Sequence, residues 1–512
     1  MVSYDYPQLR IRMRSTKQAG TSLLDHADSV RRVVTPRLEI NRKSQLGQFM
    51  TPAAVARFMA SLFPASELPV CTLLDAGAGI GALSCAFLDR WAASDELRFQ
   101  RIEVEAYEID PMLRGHLEET LSRYTARFPV STHIRPGDFI YEAALQHLVP
   151  GKFSHAILNP PYKKINSESA HRHILRQVGI ETVNLYSAFV ALSLSLMKPG
   201  GQLVAIIPRS FCNGPYYRPF RDFLLRNSAL RQIHLFASRT QAFKEDDVLQ
   251  ENVIVRLERG GVQGEVTIST STDDSFSDLI SQQHRFERIV FPTDSERFIH
   301  VPTSPKQSDI ELCTRVSCSL DDLEIGVSTG PIVDFRLLEH IRQQPDKSTV
   351  PLLYPGHFAG GITQWPKDGM KRGNAIVRNV QTEKWLFPNG FYTVVRRFSS
   401  KEEPRRIVAN VVRPDDLPGT AMLGFENHLN VFHRGKRGLP EALAHGLAAF
   451  LNTTVVDDYF RRFNGHTQVN ATDLRLMKYP DLKALMNLGE WARSHNELTQ
   501  GMMDSQLRKL AG

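Results

Sequence analysis

Residues 73–82 read Leu-Leu-Asp-Ala-Gly-Ala-Gly-Ile-Gly-Ala, an apolar run that ends in an acid and continues into three glycines at alternate positions. This pattern predicts a buried strand, a tight turn and the first turn of a helix. Glycine at such a turn lets the backbone approach a ligand closely, because a Cβ atom would clash there. The pattern therefore favours a parallel sheet with a ligand-binding site at the carboxyl end of one strand.

Short β-rich runs alternate with helical patterns from Leu73 to about Leu257, which predicts an α/β fold with a Rossmann-like, seven-stranded sheet wound by helices. Strands are expected at residues 72–76, 104–109, 133–135, 155–158, 202–207, 232–236 and 252–257. Helices are expected at residues 82–91, 111–124, 185–197 and 217–225. The last two strands should pair antiparallel, because residues 237–250 are too few for a crossover helix.

The 512 residues exceed what one hydrophobic core supports, so at least two domains are expected. The pair Gly260-Gly261 marks the predicted boundary, because the alternation of strands and helices fades beyond it. We expect an N-terminal arm over residues 1–44, a catalytic domain over residues 45–260 and an α+β domain over residues 261–512.

A formal net charge of +7 favours a polyanionic partner such as nucleic acid. The sequence has no run of about 18 apolar residues and no apolar leader segment, so a cytoplasmic protein without a membrane span is expected. The five cysteines form no Cys-x-x-Cys pair, which argues against a disulfide framework or a structural zinc site. No metal is therefore expected.

The glycine-rich turn is compatible with two cofactors, a nicotinamide dinucleotide or S-adenosylmethionine. A dinucleotide enzyme places its ribose-binding acid about 20 residues after the turn. The acid that ends the second predicted strand here is Glu108, which lies 31 residues after Gly77. This spacing favours S-adenosylmethionine, with Asp75, Gly77, Gly79 and Gly81 at its site, and a tight turn without a ligand is the alternative.

Two acids that follow predicted strands are candidates for the rest of the cofactor site. Glu108 is expected to accept hydrogen bonds from both ribose hydroxyls, which suits a carboxylate. Asp138 is expected to accept a hydrogen bond from the adenine amine of the cofactor, with Phe139 packed on the ring. A solvated turn is the alternative for Asp138.

The tetrapeptide Asn159-Pro160-Pro161-Tyr162 follows a predicted strand and lies at the ligand-binding edge of such a sheet. Here the chain resembles the amino-methyltransferases, whose Asn/Asp/Ser-Pro-Pro-aromatic motif acts on planar amino groups. The resemblance implies that all four residues are catalytic. An ordinary Pro-Pro turn is the alternative.

The motif suits a ring-conjugated amine, which is a poor nucleophile because its lone pair is delocalised. The side-chain oxygen of Asn159 and the carbonyl of Pro160 can accept both N–H bonds and aim the nitrogen lone pair at the sulfonium methyl group. The prolines stiffen the loop. Tyr162 offers a flat face to a base swung out of the duplex, and no strong general base is required.

The segment Gly-Gln-Phe-Met-Thr-Pro at residues 47–52 resembles the segment upstream of the glycine-rich turn in adenine DNA methyltransferases. The resemblance implies that this segment and a following helix over residues 53–62 cover the cofactor, with Gln48 and Thr51 in contact with it. Thr51 is also expected to cap that helix, with Pro52 at its first position.

Residues 184–189 and 206–210 resemble the TaqI-like catalytic domain, and ungapped spacing then places Tyr217 on the second face of a flipped adenine. The order of the motifs is that of the gamma group of N6-adenine DNA methyltransferases. Residues 326–336 and 465–474 resemble the PstI/BsuBI-type modification methylases. That resemblance implies the site CTGCAG and a role as the modification partner of a type II restriction system.

Residues 261–512 leave room for a target-recognition domain that binds double-stranded DNA. Arginine suits phosphates and guanine edges, although a run of charges is also typical of a solvated face. The candidate DNA contacts are Arg396, Arg397, Arg405, Arg406, Arg434, Lys436, His466 and Gln468.

The sequence therefore predicts a site-specific DNA methyltransferase that acts on N6 of adenine. An RNA or protein-glutamine methyltransferase on the same core is one alternative, and a catalytically dead DNA-binding protein is another. No carboxylate–lysine pattern of a restriction nuclease stands out, so cleavage would come from a separate endonuclease.

Overall fold

The computed structural model describes residues 23–35, 50–146, 151–236, 251–292, 294–301, 316–359, 362–399, 403–463, 468–495 and 497–511. The chain divides into two compact units, Met1–Thr303 and Ser304–Gly512. Among the described residues, no helix has the length and apolar character needed to cross a membrane.

The first unit is built on a nine-stranded sheet with the order β3-β2-β1-β4-β5-β7-β6-β8-β9. Its strands are β1 (Val70–Ala76), β2 (Arg101–Tyr107), β3 (Val130–Arg135), β4 (Phe153–Leu158), β5 (Met197–Pro208), β6 (Ser228–Phe236), β7 (Asn252–Arg259), β8 (Glu265–Ser271) and β9 (Ile280–Arg285). Strands β1 to β5 pair in parallel, and β7 is antiparallel to both β5 and β6. The α/β fold and the antiparallel last pair are confirmed.

Eight helices of this unit have described bounds: α1 (Leu23–Val34), α2 (Ala53–Ser61), α3 (Ala82–Ala93), α4 (Pro111–Thr125), α5 (Phe139–Gln146), α6 (Ala170–Gln177), α7 (Leu185–Leu196) and α8 (Arg218–Asn227). The sheet is covered on both faces, since Leu73 belongs to one buried apolar cluster and its neighbour Leu74 to another. Successive side chains of a strand point to opposite faces, so a strand buried on both sides is apolar at consecutive positions.

The sheet extends beyond the seven strands predicted from the sequence. Strand β8 pairs in parallel with β6, and β9 pairs antiparallel with β8, so the first unit reaches Thr303 and does not end at Gly260. The predicted boundary was wrong because Gly260, with a φ of 64°, forms a turn between two strands of the same sheet.

The N-terminal segment also departs from the prediction of a separate arm. Within it, helix α1 buries Leu24 and Ala27 in one of the two apolar clusters that flank the sheet. Asp89 of α3 accepts a hydrogen bond of 3.2 Å from the amide of Leu24. Helix α1 is therefore part of the first unit.

The second unit is mixed α+β, as predicted. Its principal sheets have the orders β11-β21-β18-β19 and β12-β16-β13-β20-β17. The strands are β10 (Val316–Cys318), β11 (Gly326–Thr329), β12 (Ile341–Arg342), β13 (Thr349–Leu353), β14 (Phe358–Ala359), β15 (Ile362–Thr363), β16 (Ala375–Val377), β17 (Phe387–Pro388), β18 (Tyr392–Arg396), β19 (Ala409–Val412), β20 (Met422–Phe425), β21 (Leu429–His433) and β22 (Tyr479–Pro480). The helices are α9 (Glu441–Leu451), α10 (Thr454–Phe463), α11 (Ala471–Leu476), α12 (Leu482–Arg493) and α13 (Gln500–Ala511).

Helices α9 and α12 pack backbone against backbone through two glycines. A Cβ atom added at Gly489 would lie 1.6 Å from the carbonyl oxygen of Ala442, and one added at Gly446 would lie 1.9 Å from that of Leu485. Only glycine permits an approach this close.

Candidate active site

A cavity of about 340 Å³ lies at the carboxyl ends of the parallel strands in the first unit. Its walls bring together side chains or backbone from each of the predicted motifs: Thr51, Gly77, Gly79, Glu108, Asp138, Phe139, Asn159 and Pro161. Carboxyl ends of neighbouring parallel strands share one edge of the sheet, which explains why motifs distant in sequence meet there.

The glycine-rich turn enters the cavity through its backbone. Gly77, Gly79 and Gly81 have φ angles of 77°, 56° and 90°, which only glycine adopts readily. Gly81 does not line the cavity and instead begins α3, where a Cβ atom would lie 2.8 Å from the side chain of Leu117. Two of the three predicted glycines are therefore placed to face a ligand, and the third permits close packing of α3 against α4.

Asp75 lies beneath the turn and does not line the cavity. Its carboxylate accepts hydrogen bonds from the amide of Ser84 at 3.2 Å and from its hydroxyl at 2.6 Å. Burial raises the pKa of Asp75 to about 7, although the two bonds from Ser84 favour the charged form. The sequence predicted that Asp75 contacts the cofactor, but the structure does not place its side chain in the cavity wall. The buried carboxylate instead binds Ser84 in the first turn of α3.

The raised pKa of Asp75 predicts a pH-dependent stability. The folded state holds the proton more tightly than the unfolded chain, whose Asp pKa is about 3.9, so ionisation costs stability as the pH rises from about 4 to 7. An Asp75→Asn variant does not titrate, and the difference in unfolding free energy, variant minus wild type, should increase across this window. Urea unfolding at three pH values measures that difference. A difference that stays constant across the three pH values would contradict the prediction.

Glu108 follows the last residue of β2 and is almost fully buried in the cavity wall. Its Oε2 atom accepts a 2.8 Å hydrogen bond from the amide of Gly79, and Oε1 accepts one of 2.8 Å from the amide of Asp110. Burial raises the pKa of Glu108 despite these bonds. The carboxylate is therefore fixed in orientation by the backbone of the turn.

Asp138 lines the cavity after β3 and is held by a residue that the sequence did not single out. Its Oδ1 atom accepts a 2.8 Å hydrogen bond from the amide of Ile140, and its Oδ2 atom lies 2.8 Å from Nε2 of His171. Burial acts against the charged form, but these bonds outweigh it and lower the pKa of Asp138. His171, on α6, also lines the cavity, and no local pattern in the sequence marks its pairing with Asp138.

Phe139 lies next to Asp138 and contributes an apolar wall. Its ring packs edge-on against Tyr107, with centroids 5.0 Å apart, and lies 4.9 Å from Phe189. The ring is thus fixed at the cavity by packing from two sides.

Asn159 is hydrogen-bonded at both ends of its side-chain amide. Its Nδ2 atom donates to the hydroxyl of Thr51 at 2.9 Å, and its Oδ1 atom accepts from the hydroxyl of Tyr162 at 3.1 Å. Tyr162 is also 3.2 Å from the carbonyl oxygen of Ile206 on β5. Asn159 and Pro161 line the cavity, whereas Pro160 is buried and Tyr162 lies outside the lining.

Thr51 does not cap helix α2 as the sequence suggested. The N-cap residue is Pro52, which makes no side-chain capping bond, and the amide of Ala53 donates to Oδ1 of Asp28 at 3.3 Å. The prediction was wrong because a carboxylate from α1 takes the capping position and the Thr51 hydroxyl binds Asn159. Gln48, the other residue predicted from this motif, lies outside the described residues.

Tyr217 belongs to an aromatic group that includes Tyr162 of the Asn-Pro-Pro-Tyr tetrapeptide. It stacks on Tyr186, with centroids 5.7 Å apart and an interplanar angle of 28°. Tyr162 meets the same Tyr186 ring at 86° and 6.2 Å. Tyr186 is therefore a third member of the group, and the sequence analysis assigned it no role.

The predicted DNA contacts of the second unit separate into two groups. Arg406 is 1% exposed and packs over the ring of Phe460, so its assignment as a DNA contact was wrong. Arg405 donates to backbone carbonyls of Ile407 and Thr453, and Arg396 pairs with Glu403. These arginines have intramolecular partners inside the unit, which a basic run in the sequence does not reveal.

Of the remaining candidates, Arg397, Arg434 and Gln468 are half-buried, like Arg396 and Arg405, and Lys436 is exposed. Arg397 lies 5.6 Å over the ring of Phe398 and donates to Gln468 at 3.3 Å. Lys436 is exposed and adopts a φ of 64° at the tip of a turn. His466 lies outside the described residues.

Comparison with known proteins identifies close relatives over most of the sequence. Residues 101–243 match the Eco57I restriction-modification methylase family. The type II methyltransferase M.BsuBI of Bacillus subtilis is 51% identical over 499 residues, which cover 96% of this chain and 98% of that protein. The type II methyltransferase M.PstI of Providencia stuartii is 41% identical over 481 residues, which cover 92% of this chain and 94% of that protein.

A solved structure shares the fold at low sequence identity. The type IIL restriction-modification enzyme MmeI, in complex with DNA, superposes with a TM-score of 0.50 at 12% identity, covering 95% of this chain and 72% of that chain. The two sequence relatives match nearly the whole chain, so the similarity extends over both compact units.

Proposed function

The chain belongs to the type II DNA methyltransferases of restriction-modification systems, and we propose that it methylates the exocyclic N6 of adenine with S-adenosylmethionine as the methyl donor. The observation that carries the proposal is the Asn159 amide, which lies in the wall of the cavity beside the glycine-rich turn. The proposed site for the methyl donor and a side chain that can bind a target amine therefore lie in the same cavity.

The cavity residues fit S-adenosylmethionine. A volume of about 340 Å³ is within the range of small-molecule sites, roughly 300–1,000 Å³. In this proposal Glu108 accepts hydrogen bonds from the ribose hydroxyls, Asp138 binds the adenine amine, and Phe139 packs on the purine. When bound, the cofactor supplies an electrophilic methyl group on a positively charged sulfur.

Asn159 and Pro160 would activate the target amine by accepting its two N–H bonds, through Oδ1 and the backbone carbonyl respectively. Both acceptors favour a pyramidal nitrogen, which returns the lone pair from the ring to the nitrogen. The lone pair would then be available to the methyl group that the cofactor would supply, and one N–H proton would leave to solvent. Loss of this proton would require no strongly basic side chain in the cavity wall.

Tyr162 and Tyr217 would hold the ring of the flipped base by stacking. The two hydrogen-bond partners of the Tyr162 hydroxyl, Asn159 and the carbonyl of Ile206, orient its ring. Tyr186 stacks on one face of Tyr217. Stacking on aromatic rings compensates part of the cost of removing a base from the duplex.

The second unit would read the target sequence. The candidates for contact with phosphates or base edges are the predicted residues that the structure describes and does not bury: Arg396, Arg397, Arg405, Arg434, Lys436 and Gln468. The likeness to PstI/BsuBI-type methylases supports CTGCAG as the site. A separate endonuclease would be the partner of the system.

Methylation-aware sequencing of DNA from cells that express the chain tests the proposal, since it reports both the base and its sequence context. N6-methyladenine within CTGCAG is expected, and cells that express Asn159→Ala should show none. Methylated cytosine, or label from a tritiated donor appearing in RNA or protein and not in duplex DNA, would contradict it.

A further inference from the structure

We propose that Lys164 binds a backbone phosphate of DNA beside the target nucleotide, at the mouth of the catalytic cavity. This inference rests on the proposed function, because it assigns a further contact to the same DNA substrate. Lys164 lies two residues after Tyr162 and lines the cavity together with its neighbour Lys163. Both lysines are exposed to solvent.

The backbone around Lys164 is held in place by the segment that leads into α7. The amide of Ile165 donates to the carbonyl oxygen of Val183 at 2.9 Å, and Lys164 itself pairs antiparallel with Asn184. Successive side chains of extended, paired backbone point to opposite sides. Because Ile165 is buried in the apolar core, the side chain of Lys164 is turned outward.

The same segment connects Lys164 to the aromatic group that is proposed to hold the target base. Nδ2 of Asn184 lies 3.5 Å from the hydroxyl of Tyr217. Tyr162, two residues before Lys164, contacts the same Tyr186 ring on which Tyr217 stacks. Lys164 therefore lies beside the residues proposed to bind the base.

The charged side chains of the cavity wall are separated by sign. The carboxylates of Glu108 and Asp138 follow β2 and β3 and are proposed to bind the adenosine part of the cofactor. The ammonium groups of Lys163 and Lys164 follow β4. Among the described residues, none forms an ion pair or a side-chain hydrogen bond with Lys164. An exposed cation of this kind suits a polyanionic ligand.

A base that leaves the duplex remains bonded to its own sugar and phosphates. A base held in the cavity therefore brings a phosphate to the cavity mouth. Lysine is a point charge on a flexible four-carbon stem, so it can follow a phosphate that moves as the nucleotide rotates. Contact with one phosphate releases counterions and stabilises the complex without reading the sequence. Lys164 would thus hold the backbone of the flipped nucleotide.

The test is equilibrium binding of the full chain to duplex DNA at several salt concentrations. Lys164→Gln removes the charge and should make the slope of log K against log salt shallower by about 0.9, with binding about five- to tenfold weaker at 0.1 M salt. Lys164→Arg keeps the charge and should stay within about threefold of wild type. Lys198→Gln is the matched control, because Lys198 is exposed at the amino end of β5, on the opposite edge of the sheet. Its salt slope should equal that of the wild type.

Duplexes that carry a neutral methylphosphonate in place of one phosphate locate the contact. For the wild type, replacement of one of the phosphates that flank the target adenine should weaken binding by about five- to tenfold. The same replacement should weaken binding by Lys164→Gln less than about twofold, because the two changes remove the same interaction. Fully additive losses at both flanking phosphates would overturn the proposal.

Other outcomes are equally decisive. A Kd for S-adenosylmethionine that weakens more than about threefold in Lys164→Gln, with an unchanged salt slope, would make Lys164 a cofactor contact and overturn the proposal. An unchanged salt slope alone would also overturn it. If the wild type methylates cytosine in DNA or a base in RNA, the adenine assignment fails, and the cycle at the phosphates that flank that base still decides the role of Lys164. Transfer to protein would overturn both.

Discussion

Replacement of Asn159 by Ala is expected to reduce methyl transfer by at least about 100-fold, in line with the loss of a preorganised group that acts on the reacting atoms. The variant loses the Oδ1 acceptor for the target amine. It also removes the shared partner of Thr51 and Tyr162, so each of these hydroxyls loses one hydrogen bond. The expected loss lies in the rate of the chemical step.

Single-turnover transfer to duplex DNA measures this effect, and calorimetry with S-adenosylmethionine should show a Kd within about threefold of wild type. Asn487→Ala is the matched control, because Asn487 is exposed on α12. A turnover in Asn159→Ala within fivefold of the control would remove Asn159 from the mechanism.

Replacement of Gly489 by Ala should have the largest effect on stability. The new Cβ would lie 1.6 Å from the carbonyl oxygen of Ala442 and 2.9 Å from the amide of Gly446, both of them backbone atoms that cannot rotate away. Helices α9 and α12 must therefore move apart along a buried contact. Overpacking of a core costs about 1–3 kcal/mol and occasionally more, and a clash with backbone belongs at the upper end.

Denaturant unfolding and DNA binding by the full chain measure the result, and we expect a lower unfolding midpoint together with weaker DNA binding. Gly501→Ala is the matched control, since a Cβ there meets nothing within 4 Å and Gly501 lies in helix α13. That control should be neutral or stabilising by up to about 1 kcal/mol. If Gly489→Ala unfolds like Gly501→Ala, the close helix contact does not exist in solution.

The sequence predicted the meeting of Glu108 and Asn159, because loops at the carboxyl ends of parallel strands share one edge. The place of Thr51 beside them was implied only by the resemblance of residues 47–52 to adenine DNA methyltransferases. Residues 153–158 are buried on both faces of the sheet, and largely apolar runs of this kind predict strands.

The strand bounds were predicted less accurately. The second strand was expected at residues 104–109, but β2 ends at Tyr107. Glu108 therefore follows the strand, and its carboxylate accepts a hydrogen bond from the amide of Gly79.

Contacts between distant side chains could not be predicted. His171 binds Asp138 across 33 positions, and no periodicity connects them. The same holds for Asp28, which takes the capping position expected for Thr51. Arg406 appeared to belong to a basic surface, but the carboxylate of Asp457, 51 residues later, binds its amide and fixes it in the interior. Such pairs depend on tertiary packing alone.

The strand order β3-β2-β1-β4-β5 divides the catalytic edge into two modules. Glu108 and Asp138 follow strands on one side of β1, whereas Asn159 follows β4 on the other. Such a layout lets selection replace the group that is methylated while the machinery for the donor stays in place.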